Sequence, residues 1–385
     1  MRSLIYKCFA TPALSMILAC ITMVTFYSCQ KQTEILPAQN DLPGEASSAK
    51  MKKADHVVSV ETTIQAAVDA ASPGDVIHIQ PGLYKEAVIV NKPNIKLIGL
   101  SSSGNAVIIE NPGNENNGIT VRADGDGFEL HNVTIRNFES NGVVMIRADH
   151  FVLSHITVID CGEYGLWPIR SNHGVIEHCT ASGHSDSGIY TGQSNDIVMR
   201  FNRVFNNTIG LEIENCVDVI ATNNQSYDNV TGILVVLLPG LTEKVSSNIT
   251  VSNNHVYKNN KTNTADPADG FEAFVPTGGG ILVVGSDNTL VEKNTVQHNQ
   301  FLGIAVVSSL TLGALAGLPP EAFGDIEPNP DGVQIRNNTV NTNGAVQPAL
   351  PFPAADLLWD GSGNNNCWSG NQFKTSFPPV LPECN

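Results

Sequence analysis

The sequence predicts an all-β solenoid, with short strands wound into roughly ten coils that stack on one another. The first observation is a repeat. Segments beginning NNGITVRADG, SNGVVMIRAD, YGLWPIRSNH, SGIYTGQSND and IGLEIENCVD follow one another directly and carry Gly118, Gly142, Gly165, Gly188 and Gly210 at steps of 24, 23, 23 and 22 residues. Gly232, Gly280 and Gly303 continue the series at 22, 48 and 23, so the long step holds an insertion. The second is a marker that recurs in phase: Asn132, His155, His178, Asn202, Asn224, Asn254, Asn294 and Asn338. The third is strand-length runs such as ITV, FELHNVTI and IVMRFNRVF, which alternate and carry no sustained 3.6-residue period. A unit this short cannot close a sheet on itself, but it can wind once around a coil and bury a continuous core of Ile, Val and Leu against its neighbours. Asn tolerates left-handed backbone and bonds its own chain, which suits stacked corners.

Ahead of the repeats, Arg2 and Lys7 precede the apolar run Cys8–Tyr27, and Ser28-Cys29 follows it. A basic start, an apolar stretch and a small residue before a cysteine resemble a bacterial lipoprotein signal, covering residues 1–28 with Cys29 as the lipidated first residue. Residues 29–56 are polar with no apolar period and read as a tether. Loss of Arg2 and Lys7 takes the net charge from −16 to −18. That acidity argues against nucleic acid as a partner and leaves the lipid as the only hold on a membrane. The protein is expected to be exported to the cell envelope, in the periplasm or on the outer surface, as a monomer.

Cys8 and Cys20 leave with the signal. Of the others, Cys367 and Cys384 flank a short tail and are expected to form a disulfide, while Cys161, Cys179 and Cys216 lie inside repeats as small buried hydrophobes. No CxxC or HxxxH spacing supports a metal, and no cofactor motif is present. Three insertions interrupt the coils, near 237–247, 259–279 and 309–330. The first and last leave from the same corner and belong on one face, and the middle one leaves from a different corner.

Over roughly residues 60–345 the chain resembles the right-handed parallel β-helix family of pectate lyases, polygalacturonases and mannuronan C5-epimerases. Its entry, TTIQAAVDAASPGDVIHIQPGLYKE, looks like the start of that family's domain. The resemblance implies a short capping helix over Ile64 to Ala71 and a single domain over 57–385, closed at the far end by a cap over 345–385.

Residues following the marker glycines (Ile119, Val143, Leu166, Ile189, Leu211, Ile233, Ile281 and Ile304) are all aliphatic and point inward. The next residues then point outward: Thr120, Val144, Trp167, Tyr190, Glu212, Leu234, Leu282 and Ala305. Later coils therefore present an apolar face that needs a cover. The middle coils present Trp167, Tyr190, Glu212 and Glu214, with Arg147, Arg170 and Gln193 at the strand ends. Aromatic rings flanked by planar polar groups suit a sugar chain, or else a covering loop.

The stretch YGLWPIR (Tyr164 to Arg170) is similar to the catalytic strand Tyr-Gly-Phe-Asp-Pro-His of mannuronan C5-epimerases. Tyr164, Gly165 and Pro168 match it, but Trp167 stands at the aspartate position and Ile169 at the histidine position. Neither can neutralise a carboxylate or remove a proton, so only Tyr164 survives from that set. Glu212 and Glu214, about 6.5–7 Å apart on one strand face, are a second weak catalytic candidate. Three functions stay open: a polysaccharide-binding accessory protein; a lyase, hydrolase or epimerase of uronate glycans; and a purely structural or adhesive β-helix.

Overall fold

In the computed structural model the described residues are 55–59, 61–101 and 105–385. Cys29, the signal and most of the tether lie outside them. Among the described residues three parallel sheets of twelve, eleven and ten strands run the length of a right-handed β-helix. One coil shows how the chain turns. Asn195–Arg200 lies in the twelve-stranded sheet, Arg203–Phe205 in the ten-stranded sheet and Ile209–Glu214 in the eleven-stranded sheet, and Val217–Thr222 then returns to pair with Asn195–Arg200. Ile119, Val143, Leu166 and their successors meet in the interior, where they form one continuous apolar core.

The marker glycines bring successive coils of the eleven-stranded sheet close together. A Cβ on Gly210 would lie 2.5 Å from the carbonyl oxygen of Gly232, and one on Gly232 would lie 2.7 Å from that of Gly280. Real Cβ atoms do not approach this closely, so the row is glycine for steric reasons.

The second marker proves to be two adjacent rows. Left-handed backbone belongs to Asn132, His155, His178, Phe201, Asn223 and Asn253, with φ of 54–57°. The residues after them turn inward: Val133, Ile156, Cys179, Asn202, Asn224 and Asn254, and the row continues as Asn294 and Asn338 after the left-handed Lys293 and Asn337. In this inner row each Asn Oδ1 accepts from the backbone N–H of the residue one coil earlier, as in Asn202 to Asn224 and Asn224 to Asn254, both 2.9 Å. His155 and His178 are thus not part of the Asn ladder. They belong to the outer row, where His155, His178 and Phe201 stack ring on ring. A second Asn ladder, through Asn207, Asn229, Asn259 and Asn299, fills the next corner.

The three free cysteines each occupy one of these corner rows. Cys179 heads the first Asn ladder, Cys161 precedes His184 and Asn207 in the second, and Cys216 follows Ser171 and Ser194 at the third. All three are buried, and burial pushes their thiols up to about 12, 11 and 12 for Cys179, Cys161 and Cys216. Standing at three different corners, they behave as small apolar fillers.

The ends are closed as solenoid ends must be. Helix Ile64–Ala70 covers the first coil with Ile64 and Val68. The Glu86 carboxylate accepts from the N–H groups of Ile64 and Gln65 at 2.8 and 3.0 Å, while Lys92 Nζ donates to the carbonyls of Val68, Asp69 and Ala71. Each end of the helix therefore carries the charge its dipole favours. At the far end Cys367 and Cys384 are disulfide-bonded. Coiling extends past 345, however: Ala355–Trp359 pairs with Leu302–Val307 and Cys367–Ser369 with Gln334–Arg336. This last coil is hidden in the sequence because Asp356 stands where the row would place glycine. Its carboxylate accepts from Asn343, Lys374 and Thr375.

Candidate functional site

Outward positions on the eleven-stranded sheet divide into a bare part and a roofed part. On the early coils Arg122 and Arg147 are exposed, Ile146 keeps 41% of its surface, and Thr120, Tyr164, Trp167 and Arg170 are half-buried, while the outward Val144 and Ile169 are buried. From the next coil onward the face is covered. Leu234, Leu282, Ala305 and Leu358 form a second apolar cluster with Leu238 and Leu241 from the first insertion, Val275 from the second and Leu312 from the third. The apolar cover expected from the sequence is present.

The middle insertion does not keep to a different face, as its corner of departure had suggested. Insertions 237–247 and 309–330 leave from the exit edge of the sheet and 259–279 returns at its entry edge, so all three arch over it. The result corrects the expectation of an open aromatic ladder. Tyr190, Gln193, Glu212 and Glu214 point outward as the alternation requires, but they retain only 3%, 3%, 6% and 4% of their surface. Gln193 Oε1 accepts from the backbone N–H of Thr242, and Arg170 Nη2 donates to Thr242 Oγ1 at 2.6 Å. The first insertion thus seats on the two strand-end residues.

Beneath the roof four carboxyl groups converge. Asp186 and Glu212 both lie against Ser187 Oγ, at 3.1 and 2.5 Å. Glu214 accepts from Tyr190 Oη at 2.7 Å. Tyr164 hydrogen-bonds to Asp186, and Glu272, from the 3-10 turn Phe271–Phe274 in the middle insertion, adds its charge to those of Asp186 and Glu212. None of the four carboxylates forms an ion pair among the described residues. A hydroxyl has one proton, so Ser187 cannot donate to both of its carboxyl neighbours at once, and the contact is best satisfied when one of them carries a proton.

Burial points the same way. It raises Asp186 to about 7 and Glu214 to about 7, and raises Glu272 to about 8. Burial also raises Glu212, reinforced by the charges of Asp186 and Glu214. At neutral pH this is a proton-sharing group of acids rather than four anions. Among the described residues no set of three or more His, Cys, Asp or Glu side chains is arranged to hold a metal ion.

Trp167 and Tyr164 stand at the border between the bare shelf and the roof, their rings stacked at 5.1 Å with planes 6° apart. Tyr190 meets them edge-on from under the roof. Two donors at this border, Trp167 Nε1 and Arg170 Nε, are shielded from solvent and meet no acceptor among the described residues. Sequence reading selects Tyr164, Glu212 and Glu214 but misses Asp186 and Glu272. Asp186 precedes its strand and so falls outside the in–out alternation. Glu272 lies in an insertion, 60 residues from Glu212, where no periodicity operates.

The architecture and the matched repeats together place the chain in the right handed beta helix family, whose region matches residues 117–261 and 237–374. No curated protein matches it. Solved structures share the fold. The A-module of mannuronan C-5 epimerase AlgE6 from Azotobacter vinelandii aligns with a TM-score of 0.61 and 18% identity, over 80% of this chain and 81% of that one. The A-module of AlgE4 from the same organism aligns at 0.56 and 16%, over 81% and 92%. A DFA-IIIase from Arthrobacter chlorophenolicus aligns at 0.50 and 13%, over 82% and 94%.

Proposed function

We propose that the chain is an exported, lipid-anchored cell-envelope protein that binds polysaccharide on the bare shelf of the eleven-stranded sheet. The observation that carries this reading is the stacked Trp167–Tyr164 pair at the inner end of an open face, with Arg122, Arg147 and Arg170 along its exit edge. An aromatic platform holds the apolar face of a sugar ring, and guanidinium groups take its carboxylates or hydroxyls in planar pairs. Two relatives of like fold are mannuronan C-5 epimerases, which supports a uronate-containing chain as the ligand.

A second reading, an enzyme acting on such glycans, is favoured by one specific observation. The roofed acids hold protons at neutral pH, as a general acid must. They can reach a substrate only if the 259–279 insertion lifts, because Glu212 and Glu214 are buried beneath the cover.

Both readings are tested by incubating the full-length chain with defined uronate and neutral oligosaccharides in heavy water. Binding of uronate oligomers is expected, and Trp167→Ala is expected to weaken it about tenfold. Unchanged affinity in that variant would remove the shelf from consideration. Shortened products, or deuterium gained by the sugar, would replace binding with catalysis.

A further inference from the structure

A second face carries chemistry that this reading does not use. Where the ten-stranded sheet turns toward the eleven-stranded one, Phe205, Tyr227 and Tyr257 occupy the same outward position on successive coils. Their rings stack at 5.2 and 5.0 Å with planes 8° and 10° apart, and the Arg203 guanidinium lies over the first two. Directly beyond this row the corner forms a concave depression lined by Lys258, Lys261, His298, Asn260, Gln300 and Thr342. Lys258, His298 and Thr342 follow Tyr257, Gln297 and Asn341, which pair strand to strand, so the three lie on consecutive coils.

The charge here runs against the rest of the molecule. The chain has 37 acidic residues and 21 basic ones, yet this depression holds two lysines against the single carboxylate of Asp228 at one end. Lys258 is exposed and forms no ion pair among the described residues. Lys261 is half-buried, and loss of water holds its ammonium below the usual lysine range. Its Nζ donates to the Asn206 carbonyl at 2.8 Å, which leaves two of its three N–H groups, and a desolvated cation is stabilised by an incoming anion. The Asn260 amide is held between the His298 carbonyl and the Gln300 N–H, and Thr342 Oγ1 donates to the Asn341 carbonyl. The exposed Gln300 amide and His298 imidazole remain to pair with a hydroxyl-rich ligand.

We propose that this corner is a second glycan-binding site, which takes a linear anionic saccharide with Lys258 and Lys261 on its charges and His298 and Gln300 on its hydroxyls. The coil rise of about 4.8 Å sets polar groups at regular steps, which favours a polymer with a repeating charge over an isolated ion. Asp228 repels such a chain at its own end and so directs it along the corner toward His298. The aromatic row with Arg203 keeps that wall rigid and polar at its rim. The inference does not depend on the shelf.

The test uses the full-length chain carrying Trp167→Ala, so that the shelf is disabled first. Affinity is measured by titration with an oligogalacturonate, sulfated dextran, neutral dextran and inorganic sulfate. Retained binding of the anionic polymers is expected, weakening as salt rises. The double variant Lys258→Glu/His298→Glu should lower it at least about tenfold. Gln300→Glu, which adds a charge without removing a lysine, should lower it too, and it guards against a folding defect in the double variant. Loss of both polymers identifies any polyanionic glycan as ligand, and loss of oligogalacturonate alone narrows it to a carboxylate chain. Equal binding of neutral dextran, saturation by sulfate alone, indifference to both variants, or no binding of the anionic polymers would overturn the proposal. If Trp167→Ala alone abolishes binding, the shelf reading survives and this one does not.

Discussion

Asn254→Ala should destabilise the fold by on the order of 3–5 kcal/mol, because it removes four buried hydrogen bonds at once. Asn254 Oδ1 accepts from the backbone N–H and the side-chain Nδ2 of Asn224, at 2.9 and 3.0 Å. Its own Nδ2 donates to the Ala221 carbonyl at 2.9 Å and to Asn294 Oδ1 at 3.0 Å. Alanine takes the side-chain partner from the buried Asn224 N–H and Ala221 carbonyl. The loss should also spread along the ladder, since each amide fixes the orientation of the one before it. Denaturant unfolding of the variant against the parent measures the effect. A change below about 1 kcal/mol would mean that the ladder is held by the coils rather than holding them.

Stability should fall as pH rises from about 4 to about 8, the reverse of the usual behaviour of carboxylates. The sign follows from the roofed acids. Asp186 and Glu214 are raised from 3.8 and 4.5 to about 7, and Glu272 from 4.5 to about 8. Between those limits the folded chain holds protons that the unfolded chain has released, so raising the pH favours unfolding. The contribution is fully present below the unfolded values and lost as pH passes through the folded ones. For Glu214 alone the shift corresponds to roughly 3 kcal/mol. Glu214→Gln keeps an acceptor for Tyr190 and removes one titration, so its stability should decline less steeply over this range. Unfolding midpoints at pH 5, 7 and 9 for both proteins would show it. Parallel slopes would mean that the acids ionise without cost, and the roof would then have to be open in solution.

The coil frame was legible because its causes are local and periodic. Glycine is required wherever one coil's carbonyl approaches the next, and an apolar residue wherever the alternation turns inward, so both rows repeat at the coil length. The last coil escaped because Asp356 serves where glycine was expected, its side chain bonded to Asn343 and Thr375 instead. The two marker rows ran together because a left-handed residue and an inward Asn are adjacent at every corner. The direction of Tyr190, Glu212 and Glu214 could be read from alternation, but their burial could not. Burial depends on where insertions fold back, and the path of 259–279 leaves no periodic trace. The meeting of Glu272 with Asp186 and Glu212 is a product of that path alone.

The step from Gly232 to Gly280 is more than twice the usual length, yet Thr231 pairs with Gly279 and Ile233 with Ile281 without a slip. The frame therefore ignores what is spliced between its strands, provided the flanking corners are kept. For an engineer this makes the roof an interchangeable part. The stretch between Asn259 and Gly279 could be trimmed to a plain corner or exchanged for a foreign loop while the coils above and below remain in register, since Asn259 holds the corner ladder and Gly279 the strand pairing. The same tolerance gives a lineage of such proteins a cheap route to new surfaces, since variation can accumulate in the spliced segments while the stacked corners stay under constant selection.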